Sequence, residues 1–162
     1  VTVHICSLIL EEPQTIPDDG QYHVVRFPFG TAESYDDHGM HQVAQPDGYR
    51  VSLWRTDDRA GLIWPAVEGW ATLTAVIQWE DGQYTELRDR FERDPLNLST
   101  GADSTATDHR ARTPGLNPFT KHHELFVHPG TPIAFKAAHN SSRPERITHA
   151  QFKVAIHPVE EA

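Results

Sequence analysis

The chain has 162 residues, 38% of them apolar, with 12 prolines and 10 glycines; that is enough for one domain with its own core, and no apolar run reaches membrane-spanning length, so no membrane partner is expected. A formal charge of −9 argues against nucleic acid as a partner, because a phosphate backbone needs a basic face. Cys6 is the single cysteine, which rules out an intrachain disulfide framework; its place in an apolar run points to a buried, inert thiol.

Residues 2–11 read as a first strand. His4, Cys6, Leu8 and Leu10 face one way and Val3, Ile5, Ser7 and Ile9 the other. Apolar residues on both faces predict cover on both sides, by a second sheet or by a neighbouring subunit. No signal peptide is expected, since residues 1–10 lack a basic start and a small-residue cleavage site. A first residue Val fits a processed chain, a fragment or a translated GTG start codon. A loop follows at 13–20, with Asp19-Gly20 as a turn signal. Residues 21–29 read as the second strand, ended by Pro28 and Gly30, before an irregular acidic stretch at 31–48. Short strands are expected at 49–55 and 62–64, separated by a polar turn at 57–61. A short helix fits only near Arg59 or 94–98.

Residues 70–80, WATLTAVIQWE, form the strongest strand pattern of the first half. Asp81-Gly82 then reads as a type I′ turn, which predicts a hairpin with 84–91 and sets Trp79 opposite Tyr84 and Val76 opposite Leu87. On the return strand Glu86, Arg88 and Arg90 share one face, toward solvent or a partner. Strands are expected at 121–128, 132–139 and 146–157, with turns at Pro129-Gly130 and 140–144. In the last strand Ala150, Phe152, Val154 and Ile156 alternate with His149, Gln151, Lys153 and His157, a half-buried antiparallel pattern that requires a second layer. The fold expected is therefore all-β: a single antiparallel, jelly-roll-like β-sandwich over 1–162.

Residues 94–118 break the pattern. The segment DPLNLSTGADSTATDHRARTPGLNP has almost no apolar content to offset its own ordering entropy. It is expected to be an extended loop or arm held by a neighbouring molecule, with a loop pinned to its own domain as the alternative; Asp94, Leu96, Leu98, Arg110, Arg112, Leu116 and Phe119 are the candidate protein-interface residues.

No catalytic motif is present. There is no Gly-x-Ser-x-Gly elbow and no phosphate-cradling loop. A cupin-like metal site would need three of His38, His41, His123, His128 and His139 to converge. The pattern is broken, because His122 and His123 are adjacent and point to opposite faces. No catalytic, cofactor or metal residue is therefore assigned. Trp54, Trp64, Trp70 and Trp79 would form a sugar-stacking platform if two or more lay exposed in one groove; their positions on strands favour the core.

The first residue Val1, the segment GLIWPAVEGWATLTAVIQWEDG, the polar segment 94–118 and the block FVHPGTPIAFKAAHN before a long closing strand together resemble small virion structural proteins of tailed actinobacteriophages, of the capsid decoration, head fibre or minor tail type. The resemblance implies a non-enzymatic subunit, located in the virion and without a cofactor. It would assemble symmetrically, with a trimer favoured, and contact other capsid or tail proteins. A carbohydrate-binding host-attachment module is the alternative, and a cupin-like metal-binding protein a more distant one.

Overall fold

The computed structural model describes residues 2–30, 35–98 and 103–159. Its strands are β1 His4–Leu10, β2 Gln14–Ile16, β3 His23–Val24, β4 Gly69–Trp79, β5 Glu86–Arg93, β6 Asp103–Ala111, β7 Asn117–Val127, β8 Ile133–His139 and β9 Glu145–Pro158. They form two antiparallel sheets. One has the order β1-β9-β4-β7, with β2 also pairing β9; the other has the order β3-β8-β5-β6. The expected jelly-roll-like sandwich is the fold observed.

The closing strand β9 lies inside the five-stranded sheet. It pairs with β1 from Leu10↔Ala150 to His4↔Ile156 and with β4 from Gly69↔Pro158 to Trp79↔Ile147. Its period of two holds in space: Ala150, Phe152, Val154 and Ile156 are fully buried. Phe152 meets Phe91 and Phe135 of the opposite sheet and Phe27, with ring centroids 5.9, 6.4 and 6.3 Å away. Gly69 is required by this pairing, since a Cβ there would stand 2.2 Å from the His157 carbonyl oxygen of β9.

The expected hairpin at Asp81-Gly82 does not form. β4 pairs with β7 and β9, whereas β5 pairs with β6 and β8. The 80–85 connection is a corner that crosses from one sheet to the other. Both apolar faces still point into one interior, so Trp79 and Tyr84 meet across the sandwich with ring centroids 6.0 Å apart. The Tyr84 hydroxyl closes the corner by donating to the Glu80 carbonyl at 2.6 Å. Gly82 serves by its small size: the buried Glu145 carboxylate occupies the place of a Cβ and accepts from the Gln83 amide at 3.0 Å.

Segment 94–118 also differs from expectation. It contains β6, which is paired along β5 within the same chain. A register shift opposite Arg90 marks a bulge, and Ala106 there has φ 53°. The sequence pattern misleads because this flank of the interior is ionic. The Asp89 carboxylate, fully buried on β5, accepts from Arg110 Nε of β6 at 2.8 Å and lies 3.1 Å from Lys121 Nζ of β7. Lys121 also pairs with Asp108. Thr105 and His123 meet at 3.0 Å. Paired charge does here what apolar side chains do elsewhere in the sandwich, so no hydrophobic period marks the strand.

The expected strand at 21–29 narrows to β3, and the one at 49–55 reduces to turns with a single bridge, Ala44↔Arg50. Residues 62–64 contribute one bridge, Ile63↔Ile133, after a 3-10 turn at Asp58–Gly61. The excursion before β4 folds over the outer side of the four-stranded sheet. Leu62 and Trp64 pack there on Val24 and Ala134, with Leu96 alongside. That cover is why β8 is buried on both faces.

Candidate interaction surface

The two outer faces of the sandwich differ in chemistry. On the four-stranded sheet Glu86, Arg88 and Arg90 share a face of β5, as expected; Glu92 joins them, and the four are largely paired. Glu92 is bonded to Arg90 and to Lys136, both at 3.0 Å, and the Arg90 guanidinium lies 3.8 Å from the Tyr22 ring centroid. With its charges paired and part of it covered by Leu62 and Trp64, such a face offers little to a partner.

The outer face of the five-stranded sheet is nearly uncharged. The register sets residues beside one another in rows: His157, Trp70 and Phe126; then Ile5, Ala155, Thr72 and Glu124; then Ser7, Lys153, Thr74 and His122; then Ile9, Gln151, Val76 and Thr120. Beside two histidines, His122 and His157, these rows hold one lysine, Lys153, and one carboxylate, Glu124, in a chain that is 23% Asp, Glu, Lys and Arg. Ile5 is 40% exposed and Trp70 47%. β-Branched and small residues on a wide, open sheet face make a surface suited to packing against another sheet face.

The residues expected to form an intermolecular arm are mostly engaged inside the chain. Asp94 is fully buried, and its Oδ1 accepts from the Leu98 amide at 2.8 Å. Arg110 binds Asp89 and lies over Phe119, 4.7 Å from the ring centroid. Phe119 itself packs on the main core, Leu96 on the smaller one. Arg112 donates to the Gly82 carbonyl at 2.7 Å. Leu98 and Leu116 remain exposed, at 45% and 53%. Positions 99–102 of the segment lie outside the described residues, as do 31–34 of the acidic stretch. The arm is thus corrected to a paired edge strand. The nearly uncharged face is the surface that sequence reasoning passed over, although the two-faced apolar pattern of residues 2–11 already pointed to it.

The histidines do not converge. His41 is buried, bonded to the Ala60 carbonyl at 2.7 Å and stacked on Phe29. His139 accepts from the Ser141 amide at Nδ1 and so donates from Nε2 to the Ile16 carbonyl at 2.9 Å. His123 meets Thr105, and His128 pairs with Glu68 at 3.2 Å. Among the described residues no three His, Cys, Asp or Glu side chains are placed to hold a metal ion.

His38 stacks on His4 with ring centroids 3.8 Å apart, and both Nδ1 atoms are buried without a hydrogen-bond partner. Burial, and then the neighbouring His38, hold the His4 imidazole below its ordinary pKa of 6.5. The unfolded chain therefore takes up this proton first. Stability from the neutral ring is present above pH 6.5 and falls as the pH drops below it. The thermal midpoint is expected to fall between pH 7 and 5 by more in the wild type than in His4→Leu; parallel curves for the two proteins would refute this.

The tryptophans do not share a groove. Trp79 and Trp64 are buried, Trp70 stands on the nearly uncharged face, and Trp54 is half-buried beside the 55–58 turn.

No protein-family model and no curated protein matches this sequence. Solved structures do resemble it in fold. The globular domain of zebrafish complement 1qA protein is 12% identical with a TM-score of 0.60, over 98% of this chain and 99% of that one. Eiger TNF from S. frugiperda is 14% identical with a TM-score of 0.58, over 98% and 94%. Murine APRIL at pH 8.0 is 10% identical with a TM-score of 0.57, over 96% and 100%. At such identities the likeness is one of fold: this chain is a jelly-roll sandwich similar along its whole length to those of complement 1qA, Eiger TNF and APRIL.

Proposed function

We propose that the protein is a non-enzymatic structural subunit that self-associates around a symmetry axis through the outer face of its five-stranded sheet. The observation that carries this reading is the contrast between the two outer faces. One pairs its own charges and is partly covered by Leu62 and Trp64. The other is open, nearly uncharged and lined by Ile5, Trp70, Thr72, Val76 and Ala155. Burying that surface against further copies removes apolar area from water at little desolvation cost. Symmetry repeats each contact, so modest pairwise attraction becomes a stable ring. Three copies are the expected number, and the assembled subunit would serve in a virion, bound to other capsid or tail proteins.

The test is mass in solution. The wild type, of 18.3 kDa per chain, should elute at micromolar concentration with the light-scattering mass of a homo-oligomer, and Val76→Glu should elute as a folded monomer. The glutamate would meet its own symmetry copies in a desolvated interface. A wild type that stays monomeric overturns the proposal. For the virion placement, peptides of this chain should appear in mass spectra of gradient-purified particles; their absence would remove that part while leaving self-association intact.

A further inference from the structure

A pocket of about 200 Å³ lies where the 12–15 segment meets the 54–55 turn. Pro13 and Trp54 supply apolar wall, and Trp54 is packed against the main core. Glu12 and Arg55 stand in the same lining, bound to each other twice. Both Glu12 oxygens accept from Arg55, at Nε and Nη2, each at 2.8 Å. Their side chains are 53% and 56% exposed. The Arg55 guanidinium lies over the Trp54 ring, 4.8 Å from its centroid, a cation–π contact that helps to hold it in place. Arg26, also in the lining, is held by Asp58 at 3.0 Å and by the Arg55 carbonyl at 2.8 Å. Gln14 spends both ends of its amide on backbone, donating to the Val24 carbonyl and accepting from the Arg26 amide.

The charge balance selects the ligand class. Each guanidinium in the lining already has one carboxylate. An anion would have to displace Glu12 or Asp58, and a cation would find each carboxylate taken. A purely apolar ligand would cover Glu12 and Arg55 without replacing the water on their heads. What fits is a neutral molecule with one apolar face and a dense edge of hydroxyl groups. A pyranose ring has both. Its C–H face packs against the apolar wall of Pro13 and Trp54, while adjacent hydroxyls donate to Glu12 and accept from Arg55. The volume lies below the roughly 300–1,000 Å³ of drug-sized sites, which limits it to one ring. We propose that this pocket binds a neutral sugar residue of a glycan. The site is built within one copy and uses none of the residues named for self-association, so it stands or falls separately from that reading.

One ring held by an apolar contact and two charge-assisted hydrogen bonds is a millimolar ligand, so titrations run to about 50 mM. The full chain, labelled with ¹⁵N, is titrated with D-glucose, D-galactose, D-mannose and N-acetyl-D-glucosamine, and with sodium acetate as the anionic comparison. The expected result is a saturable shift of the Trp54 indole N–H and the Thr15 amide with at least one sugar. Binding read at Thr15 should weaken about tenfold or more in Glu12→Ala, whose amide spectrum otherwise stays that of the wild type, and vanish in Trp54→Ala. The proposal is overturned by unmoved signals with all four sugars, by sugar affinity unchanged in Glu12→Ala, or by saturable binding of acetate in place of sugar.

Discussion

Asp89→Ala should cost about 3–5 kcal/mol of folding stability, the scale for breaking a buried ion pair from one side. The carboxylate is fully buried and bridges three strands through Arg110 of β6, at 2.8 Å, and Lys121 of β7, at 3.1 Å. Its removal leaves the Lys121 ammonium, 3% exposed, with the half-exposed Asp108 as its one remaining carboxylate partner among the described residues. Against a typical domain stability of about 5–15 kcal/mol, that loss is large. Urea titration followed by circular dichroism gives the value. Arg143→Ala serves as the comparison. It removes a contact of 3.4 Å made by a side chain that is 54% exposed, and should cost no more than about 1 kcal/mol. Equal effects of the two substitutions would sink the account of a flank closed by charge. The hydrogen bond from Lys121 holds the Asp108 carboxyl below its ordinary 3.8. The unfolded chain thus protonates this group first, and its contribution, present above that value, is lost as the pH falls through the folded one.

Phe152→Ala is expected to cost a similar amount, about 3–5 kcal/mol, for a different reason. Phe152 belongs to the five-stranded sheet, yet its ring lies 5.9 Å from Phe91 and 6.4 Å from Phe135 of the opposite sheet. All three are fully buried. Truncation loses the transfer energy of the ring and leaves a cavity that two hydrogen-bonded sheets close only in part. Phe152→Leu fills more of that space and should cost clearly less. A midpoint shift in urea with an unchanged slope would confirm that the native state alone is affected. If Phe152→Ala and Phe152→Leu proved equally mild, the aromatic cluster would not be what couples the sheets.

These two side chains mark the boundary between what sequence reading reaches and what it misses. Phe152 sits in a strand whose apolar residues recur every second position, and such a strand declares both its extended form and its need for a covering layer. β4 and β9 were legible for that reason, β8 by the turns that bound it, and with them the all-β sandwich. β6 was not legible. Its positions facing Asp89 and Lys121 include Asp108 and Arg110, which read as solvated until those two are seen to pair with them. The Asp81-Gly82 turn was legible as a turn, but not as a corner between sheets, because both outcomes need the same local bend and the same alternating flanks.

The candidate surfaces divide in the same way. The apolar residues on both sides of β1 announced a second contact face, yet only the register of β1, β9, β4 and β7 assembles Ile5, Ala155, Thr72 and Val76 into one surface. The pocket at Trp54 could not be read at all, since Glu12 and Arg55 are 43 positions apart and meet only through the fold. The chain's own order of residues determined the extended strands, the two-layer core and the lack of a nucleophile or phosphate motif, because these follow from local periodicity and composition. The tertiary structure alone decided which strands are neighbours, which charges are buried as partners and which face stays open, because each of those is a relation between residues far apart in the chain.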